Sequence, residues 1–166
     1  VDGVVNNFLE TLHTISSPIP WLADPFWAKV VIILAITWRW TGYNMIFYLA
    51  ALQNIDPSIY EAARIDGVPA WARFTRITLP ALKPVILFTT VTSTIGTLQL
   101  FDEVNNIPTL GGPADSTLTL SLYIYYLSFR FMPNFGYAAT VSYVIVVLVM
   151  LLSFLQFVVA REKKST

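Results

Sequence analysis

Few residues in this sequence could carry out covalent chemistry, and their spacing assembles no catalytic site. His13 is the only histidine, and cysteine is absent. A zinc site requires several histidine or cysteine ligands, and a serine–histidine triad requires a positioned third group, so neither is predicted. Asp102 and Glu103 are adjacent carboxylates, but the side chains of neighbouring residues on a helix point in different directions. This disfavours general acid–base catalysis by the pair. The sequence therefore predicts a protein that is not an enzyme and carries no metal or cofactor.

A glycine-rich stretch and the charge balance argue against two further classes. Gly111-Gly112-Pro113 lacks the lysine and the hydroxyl residue with which a phosphate-binding loop holds a nucleotide. Basic and acidic residues number ten each, so the net charge is zero and no nucleic-acid partner is predicted. Any step driven by ATP must use a nucleotide site on another protein.

Other polar side chains lie in or beside long apolar runs, where they could bind a polar solute. A polar group inside a membrane faces a cavity or a partner helix, because exposing it to lipid is costly. The alternative is that these groups hydrogen-bond between helices and touch no solute. The candidates for a solute pathway are Arg39, Asn44, Thr94, Gln99, Asp102 and Tyr143.

The elements that must position these residues are membrane-spanning helices. The sequence is 55% hydrophobic and 12% charged, whereas a soluble domain carries about 25% charged residues. Apolar runs lie at residues 26–52, 82–103 and 135–160. Each is long enough to cross about 30 Å of hydrocarbon at about 1.5 Å per residue. We therefore predict an all-α, polytopic membrane helical bundle with three transmembrane helices.

Two of these runs contain polar residues that need a partner. Arg39 interrupts the first run near its middle, and an arginine there costs on the order of 3 kcal/mol on insertion scales. It should therefore face a cavity or a partner helix, and Gly42 is a candidate for a bend. The second run is rich in hydroxyl side chains, which a helix can bond to its own carbonyls. They are Thr89, Thr90, Thr92, Ser93, Thr94 and Thr97.

The distribution of basic residues predicts the orientation. The segment between the first two runs and the C-terminal tail contain most of them: Arg64, Arg73, Arg76, Lys83, Arg161, Lys163 and Lys164. The opposite side contains only Lys29 and Arg130 as basic residues. Positive charge is retained on the cytoplasmic side, so we predict that the loop at residues 53–80 and the C-terminus are cytoplasmic.

Residues 104–134 are predicted to form an outer loop followed by a short helix. Asn105-Asn106, Pro108 and Gly111-Gly112-Pro113 are turn-forming, and Thr117 to Phe129 is amphipathic. Several aromatic side chains suit the interface between water and lipid, where the ring is buried and the polar atom stays hydrated. They are Tyr123, Tyr125 and Tyr126 here, and Trp21, Trp27, Trp38 and Trp40 around the first run.

The predicted cytoplasmic loop contains two short helices. Asp56 can cap a helix that begins at Pro57 and stops at Gly67. A second helix is predicted from residue 70 to residue 76, ending before Pro80. Its apolar residues share one stripe: Trp71, Phe74 and Ile77. Two short helices joined at a glycine form a rigid projection that suits docking into a groove of another protein.

This loop resembles the EAA motif of binding-protein-dependent ABC importer permeases. The family pattern is E-A-A, three residues, G, nine residues, then I-x-L-P, and every spacing is matched. The matching residues are Glu61, Ala62, Ala63, Gly67, Ile77, Leu79 and Pro80, with Asp66 before the glycine. The resemblance implies a coupling helix that sits in a cleft of a separate ATPase subunit dimer, with Glu61 and Gly67 at contact or hinge positions. For Ala62, Ala63, Ile77 and Leu79 the alternative is packing of the loop onto itself.

A second set of motifs is similar to that of maltose-permease-like sugar permeases. It comprises Phe101-Asp102-Glu103, Gly111-Gly112-Pro113, Thr117 to Tyr125, and Phe135-Gly136-Tyr137-Ala138-Ala139. The resemblance implies a permease subunit for a sugar, with a di- or oligosaccharide as the expected class, in a bacterial or archaeal cytoplasmic (inner) membrane. It also implies a second, unlike permease subunit and an extracytoplasmic solute-binding protein. Gln99 close to Phe101 offers the hydrogen-bonding group beside an aromatic face that sugars require.

Two alternatives remain at this point. One is a permease for another solute, such as glycerol phosphate, a polyamine or a peptide; the other is a membrane scaffold that transports nothing. Family members usually have five or more spans, so the three spans predict that residues 1–166 are the C-terminal part of one transmembrane domain. The chain opens at Val1 without a basic region leading into an apolar one, so no signal peptide is predicted. Such an opening is also expected of a fragment.

Overall fold

The computed structural model describes residues 3–108 and 111–162, so Lys163 and Lys164 of the predicted positive tail lie outside the described residues. Over these ranges the chain forms helices and turns and no strand, which confirms the all-α fold. The helices are α1 (Val4–Thr11), α2 (Pro25–Gln53), α3 (Pro57–Ile65), α4 (Ala70–Arg73), α5 (Leu79–Leu98), α6 (Asp102–Asn106), α7 (Leu120–Tyr125) and α8 (Phe135–Glu162).

Three stretches are long and apolar enough to cross a membrane, which confirms the number of spans. They are Pro25–Gln53, Ala70–Asn106 and Phe135–Ala160. Side-chain caps set the start of two of them, since the first N–H groups of a helix lack intrahelical partners. Asp24 Oδ1 accepts from the backbone N–H of Phe26 at 2.9 Å, and Asn134 Oδ1 accepts from that of Tyr137 at 3.0 Å.

The second span begins earlier than the sequence predicts. Helix α4 continues through a π-helical turn, Phe74–Thr78, directly into α5, so the predicted break before Pro80 is wrong. A proline removes one N–H from the helix and its ring needs room, and the wide turn just before Pro80 supplies that room. Helix α5 alone has 20 residues, about 30 Å of length, so α4 and the π-helical turn extend beyond the thickness of the hydrocarbon.

The chain divides into two compact units, Val1–Trp38 with Leu98–Val146 and Arg39–Thr97 with Val147–Thr166. The first unit contains a core cluster, defined by Ile32, Leu100, Val104, Leu122 and Tyr126. The prediction that Tyr126 anchors the chain at the lipid interface is therefore wrong. Leu122 is fully buried, and Tyr126, four residues further on, shares its helix face and its core.

The segment after α5 is more ordered than a loop. Residues 102–106 form α6, which the sequence did not predict. Thr119 caps α7, because its Oγ1 accepts from the N–H of Leu122 at 3.3 Å and donates to the carbonyl of Leu100 at 2.7 Å. The amphipathic helix therefore begins at Leu120, not at Thr117, and ends in a second π-helical turn, Tyr126–Arg130.

Candidate functional site

The short helix α3 is fixed at its N-terminus by a charged cap. Asp56 Oδ1 accepts from the backbone N–H of Ser58 at 2.9 Å, and Pro57 occupies the first helical position. The hydrogen bond from the Ser58 N–H, followed by that from the Ser58 hydroxyl, lowers the pKa of Asp56 below its ordinary value, because both favour the carboxylate. The helix begins at the residue that the sequence predicts.

The C-terminus of α3 is closed by a Schellman motif. The N–H of Val68 donates to the carbonyl of Ala63 at 2.9 Å, and that of Gly67 to the carbonyl of Arg64 at 3.1 Å. Gly67 has φ +70°, in the left-handed region that glycine adopts without steric cost. The motif glycine therefore ends the helix because it adopts a positive φ. A Cβ built on Gly67 would meet no atom within 4 Å.

A side-chain hydrogen bond ties α3 to the beginning of the second span. The hydroxyls of Tyr60 and Thr78 lie 2.8 Å apart, and Thr78 is buried in the π-helical turn. Motif spacing does not identify Tyr60, although its position directly before Glu61 is visible in the sequence. Beside it lies a groove of about 370 Å³ lined by Leu52, Gln53, Ile55, Pro57, Tyr60, Glu61 and Arg64.

The loop leaves large apolar side chains exposed. Ile65 at the end of α3 is 87% exposed and Trp71 in α4 is 75% exposed. The rings of Trp71 and Phe74 lie 5.8 Å apart between centroids, as expected of neighbours on the predicted stripe. Exposed apolar side chains among charged ones are characteristic of surfaces that bind another protein or a membrane.

The predicted coupling residues occupy different environments. Glu61, Asp66 and Gly67 are exposed, as a contact surface requires. Among the residues for which the alternative is packing within the loop, Ala63 is buried and Ile77 half-buried, whereas Ala62, Leu79 and also Pro80 are exposed. Packing of the loop onto itself therefore accounts for Ala63 and Ile77 but not for Ala62 or Leu79.

A row of hydrogen bonds joins α5 to both of the other long helices within the second unit. Three pairs form it, and we call them the polar seam: Asn44–Ser93 at 3.1 Å, Tyr48–Thr89 at 2.7 Å and Gln156–Thr94 at 2.7 Å. Each such bond between helices in a membrane contributes about 0.6 kcal/mol on average. The seam also leaves Asn44 Oδ1 and Gln156 Oε1 buried without a hydrogen-bond partner among the described residues.

Close packing continues the seam at one end. A Cβ built on Gly96 would lie 2.2 Å from Cζ2 of Trp40, so only glycine lets the indole lie against α5. The hydroxyls of α5 bond back to carbonyls of their own helix, as predicted, for Thr89, Thr90, Thr92, Thr94 and Thr97. The sequence reasoning missed Gly96, because a helical glycine indicates a close approach without naming its partner.

The structure brings together only some of the predicted pathway residues. Asn44 and Thr94 both belong to the polar seam. Arg39 is exposed, with its guanidinium carbon 5.8 Å from the ring centroid of Trp40. Helix α2 continues through Gly42 as regular α-helix. The remaining three pathway residues are exposed: Gln99, Asp102 and Tyr143.

Comparison with known proteins places this geometry in a family. A model described as "Binding-protein-dependent transport system inner membrane component" matches residues 4–164. The lactose transport system permease protein LacF of Rhizobium radiobacter is 75% identical over 165 residues, which cover 99% of this chain and 55% of that protein. The sulfoquinovosyl glycerol transport system permease protein SmoG of Agrobacterium fabrum is 38% identical over 161 residues, covering 97% and 51%.

A solved structure shares the fold. The bacterial alginate ABC transporter in complex with alginate pentasaccharide-bound periplasmic protein contains a chain that superposes with a TM-score of 0.83 at 27% identity. The match covers 99% of this chain and 56% of that one. The chain thus spans about half the length of the relatives it matches.

Proposed function

Because this chain belongs to the family of binding-protein-dependent transport system inner membrane components, we propose that it is part of the permease of an ABC importer that carries a sugar across the cytoplasmic membrane. The relatives support this solute class, since those described above are named for lactose, sulfoquinovosyl glycerol and alginate. A di- or oligosaccharide fits these names better than glycerol phosphate, a polyamine or a peptide.

The observation that carries the proposal is the construction of the loop at residues 53–80. Helix α3 is capped at both ends and tied through Tyr60 to Thr78 in the turn that leads into α5. A helix held this way moves as a unit with the start of the span, while exposed Ile65 and Trp71 are free to dock. We assign Glu61–Pro80 as the element that couples the permease to a separate ATPase.

The complete importer, in this proposal, has four kinds of component. They are a dimer of ATPase subunits, this permease, a second permease subunit and an extracytoplasmic solute-binding protein. The last is supported by the alginate transporter, whose solved structure is a complex with an alginate pentasaccharide-bound periplasmic protein. The ATPase site lies elsewhere, and we propose that the loop at 53–80 and the C-terminus face the cytoplasm with it.

Transport then follows from two arrangements of the helices, each stabilised by a different ligand. Closure of the ATPase dimer moves the loop, and the spans separate toward the outside. We propose that Asn44 and Thr94 are the pathway residues most directly involved, since separation of the helices would break seam bonds that sugar hydroxyls can replace. Arg39, Gln99, Asp102 and Tyr143 are proposed as flanking pathway residues, because they are exposed on or next to the spans.

The decisive experiment alters the backbone of the loop and leaves its side chains in place. The full-length permease is assembled with its partner permease, ATPase and binding protein in vesicles, and ATP hydrolysis stimulated by the sugar-loaded binding protein is measured. Gly67→Pro cannot adopt φ +70° and should abolish the stimulation. The matched variant Gly67→Asn tolerates a positive φ and should retain most of it.

The outcomes distinguish a coupling loop from a scaffold, and a sugar from another solute. Loss of stimulation in Gly67→Pro, with assembly intact and Gly67→Asn active, supports the coupling loop. Unchanged stimulation in Gly67→Pro would overturn that assignment and favour a scaffold. Stimulation of the native complex by a polyamine- or peptide-loaded binding protein, and not by a sugar-loaded one, would overturn the sugar assignment alone.

A further inference from the structure

The first helix presents its apolar side chains outward. Val4 is 86% exposed and Phe8 is 63% exposed, and Val5 and Leu12 are also exposed. At about 100° per residue these four positions fall within one arc of about 100°. In water such a helix would turn this face toward the protein, so the exposed arc indicates an apolar environment.

On the opposite arc of α1, a buried polar residue bonds to the chain. Asn6 is 1% exposed. Its Nδ2 donates to the carbonyl of Ile19 at 2.9 Å, and its Oδ1 accepts from the N–H of Ile19 at 3.3 Å and from Nε1 of Trp21 at 2.8 Å. These three bonds define which side of α1 faces the protein, and they therefore hold the apolar arc outward.

The same contacts place α1 at the end of the first span. The ring of Trp21 lies edge-on to that of Trp27, 5.0 Å between centroids, and Trp27 is in the first turn of α2. Tryptophan at the end of a span is typical of the interface between water and lipid. Phe26, beside Trp27, is exposed, so the apolar surface of the span ends in aromatic side chains at the level of Trp21. Asn6 accepts from Trp21 and therefore holds α1 at this level.

We propose that α1 lies in the plane of the membrane, with Val4, Val5, Phe8 and Leu12 in lipid at the boundary between headgroups and acyl chains. An amphipathic helix in this position buries its apolar face about 5–10 Å into that boundary. Helix α1 contains no lysine or arginine, so the interaction depends on apolar burial and not on anionic lipid. The helix thereby anchors this end of α2 and limits how far it can tilt or slide.

The test measures the surroundings of single labels. A fluorophore is attached to Phe8→Cys, with Val4→Cys as the second variant and Glu10→Cys on the polar arc as the matched control. The chain has no native cysteine, and any in the rest of the transporter are removed. Each labelled permease is assembled with its partners in phosphatidylcholine vesicles, and ATP hydrolysis stimulated by the binding protein verifies assembly. Quenching is compared between iodide in water, a lipid quencher near the headgroup boundary and one near the bilayer centre.

The expected result is that the shallow lipid quencher acts on the Phe8 and Val4 labels several-fold more strongly than iodide does. The Glu10 label should show the reverse order, and adding anionic lipid should change neither. Iodide quenching of the Phe8 label equal to that of the Glu10 label would place the arc in water and overturn the proposal. Protection of the Phe8 and Val4 labels from all three quenchers would mean that protein covers the arc, which also overturns it. Neither result bears on the solute or the coupling loop.

Discussion

The loop at residues 53–80 and the segment at residues 99–134 both join spans, yet their apolar side chains are arranged differently. The first leaves Ile65 and Trp71 mostly exposed. The second buries Leu122 and Val104 completely, although Phe129 and Met132 near its end are exposed. The loop takes its shape from caps, a Schellman motif and one hydrogen bond between side chains. The segment takes its shape from a hydrophobic core.

The difference indicates two tasks. A segment that packs in a hydrophobic core, here together with Ile32 of α2, holds its shape without a partner protein, because burial of apolar surface is the main stabilising term. A loop organised by local hydrogen bonds keeps its apolar side chains available for a partner. The comparison therefore predicts that substitutions in the segment at 99–134 affect stability first, and that substitutions in the loop affect coupling first.

The largest expected contrast is between Leu122→Ala and Trp71→Ala. Removing the buried Leu122 side chain leaves a cavity and should cost about 2–5 kcal/mol of unfolding free energy. Trp71→Ala should leave stability nearly unchanged and reduce stimulated ATP hydrolysis at least tenfold. Thermal unfolding of the purified permease and ATP hydrolysis by the assembled transporter measure the two effects. An equal loss of stability in both variants would contradict the comparison.

The second contrast uses two glycines with positive φ. Gly112 has φ +75° and ψ −179°, a region reached almost only by glycine, and a Cβ there would lie 2.6 Å from Oγ1 of the buried Thr117. Gly67 has φ +70° in open surroundings. Gly112→Ala should cost on the order of 3 kcal/mol, against about 1 kcal/mol for Gly67→Ala. If Gly67→Ala unfolded at a lower temperature than Gly112→Ala, the close packing around Gly112 would not be what limits substitution there.

A smaller effect is expected from the hydrogen bond within the loop. Tyr60→Phe keeps the ring and removes the bond to Thr78, at a cost of about 0.5–1.5 kcal/mol. If this bond transmits movement from α3 to α5, the sugar transported per ATP hydrolysed should fall several-fold. The matched control is Thr119→Val, which removes a hydrogen bond of similar length, to the carbonyl of Leu100, outside both the loop and the polar seam. A similar loss of that ratio in the control would show that the bond has no special role in coupling.

The smallest effect concerns the cap of α3. The folded pKa of Asp56 is below the unfolded value, so its stabilisation is complete above the unfolded pKa of about 3.9 and is lost as pH falls through the folded pKa. Hydrogen exchange at the α3 amides should show extra opening below about pH 4 in the native loop. Asp56→Asn, which has no charge to lose, should not show that added opening. An identical acid response in both proteins would exclude the cap as its cause.

Much of the fold could be predicted because its signals are local. Long apolar runs locate the three spans. Asp56 marks the start of α3 through its side-chain cap, and Pro57 and Gly67 mark its ends through their backbone preferences. The motif spacing identified the loop that we propose to be the coupling element. The break predicted at Pro80 failed because the rule for proline assumes a regular α-turn, whereas a π-helical turn precedes this one.

The candidate site was predicted less completely. Its motif residues were identified, but Tyr60 was not, since its partner Thr78 is eighteen residues away. Of the candidate residues for a solute pathway, Asn44 and Thr94 have partners on other helices, and no residue pattern along one helix identifies such partners.

The sequence by itself determined the number of spans, the ends of α3 and the membership of the family. These depend on the length of apolar runs, on caps and on the spacing of a motif. Only the tertiary structure decided that Tyr126 is core and not anchor, that Trp40 packs on Gly96, and that Asn6 turns the apolar face of α1 outward. Each of those results depends on contacts between residues far apart in the chain, and hydropathy assigns the same value to an aromatic ring whether protein or lipid surrounds it.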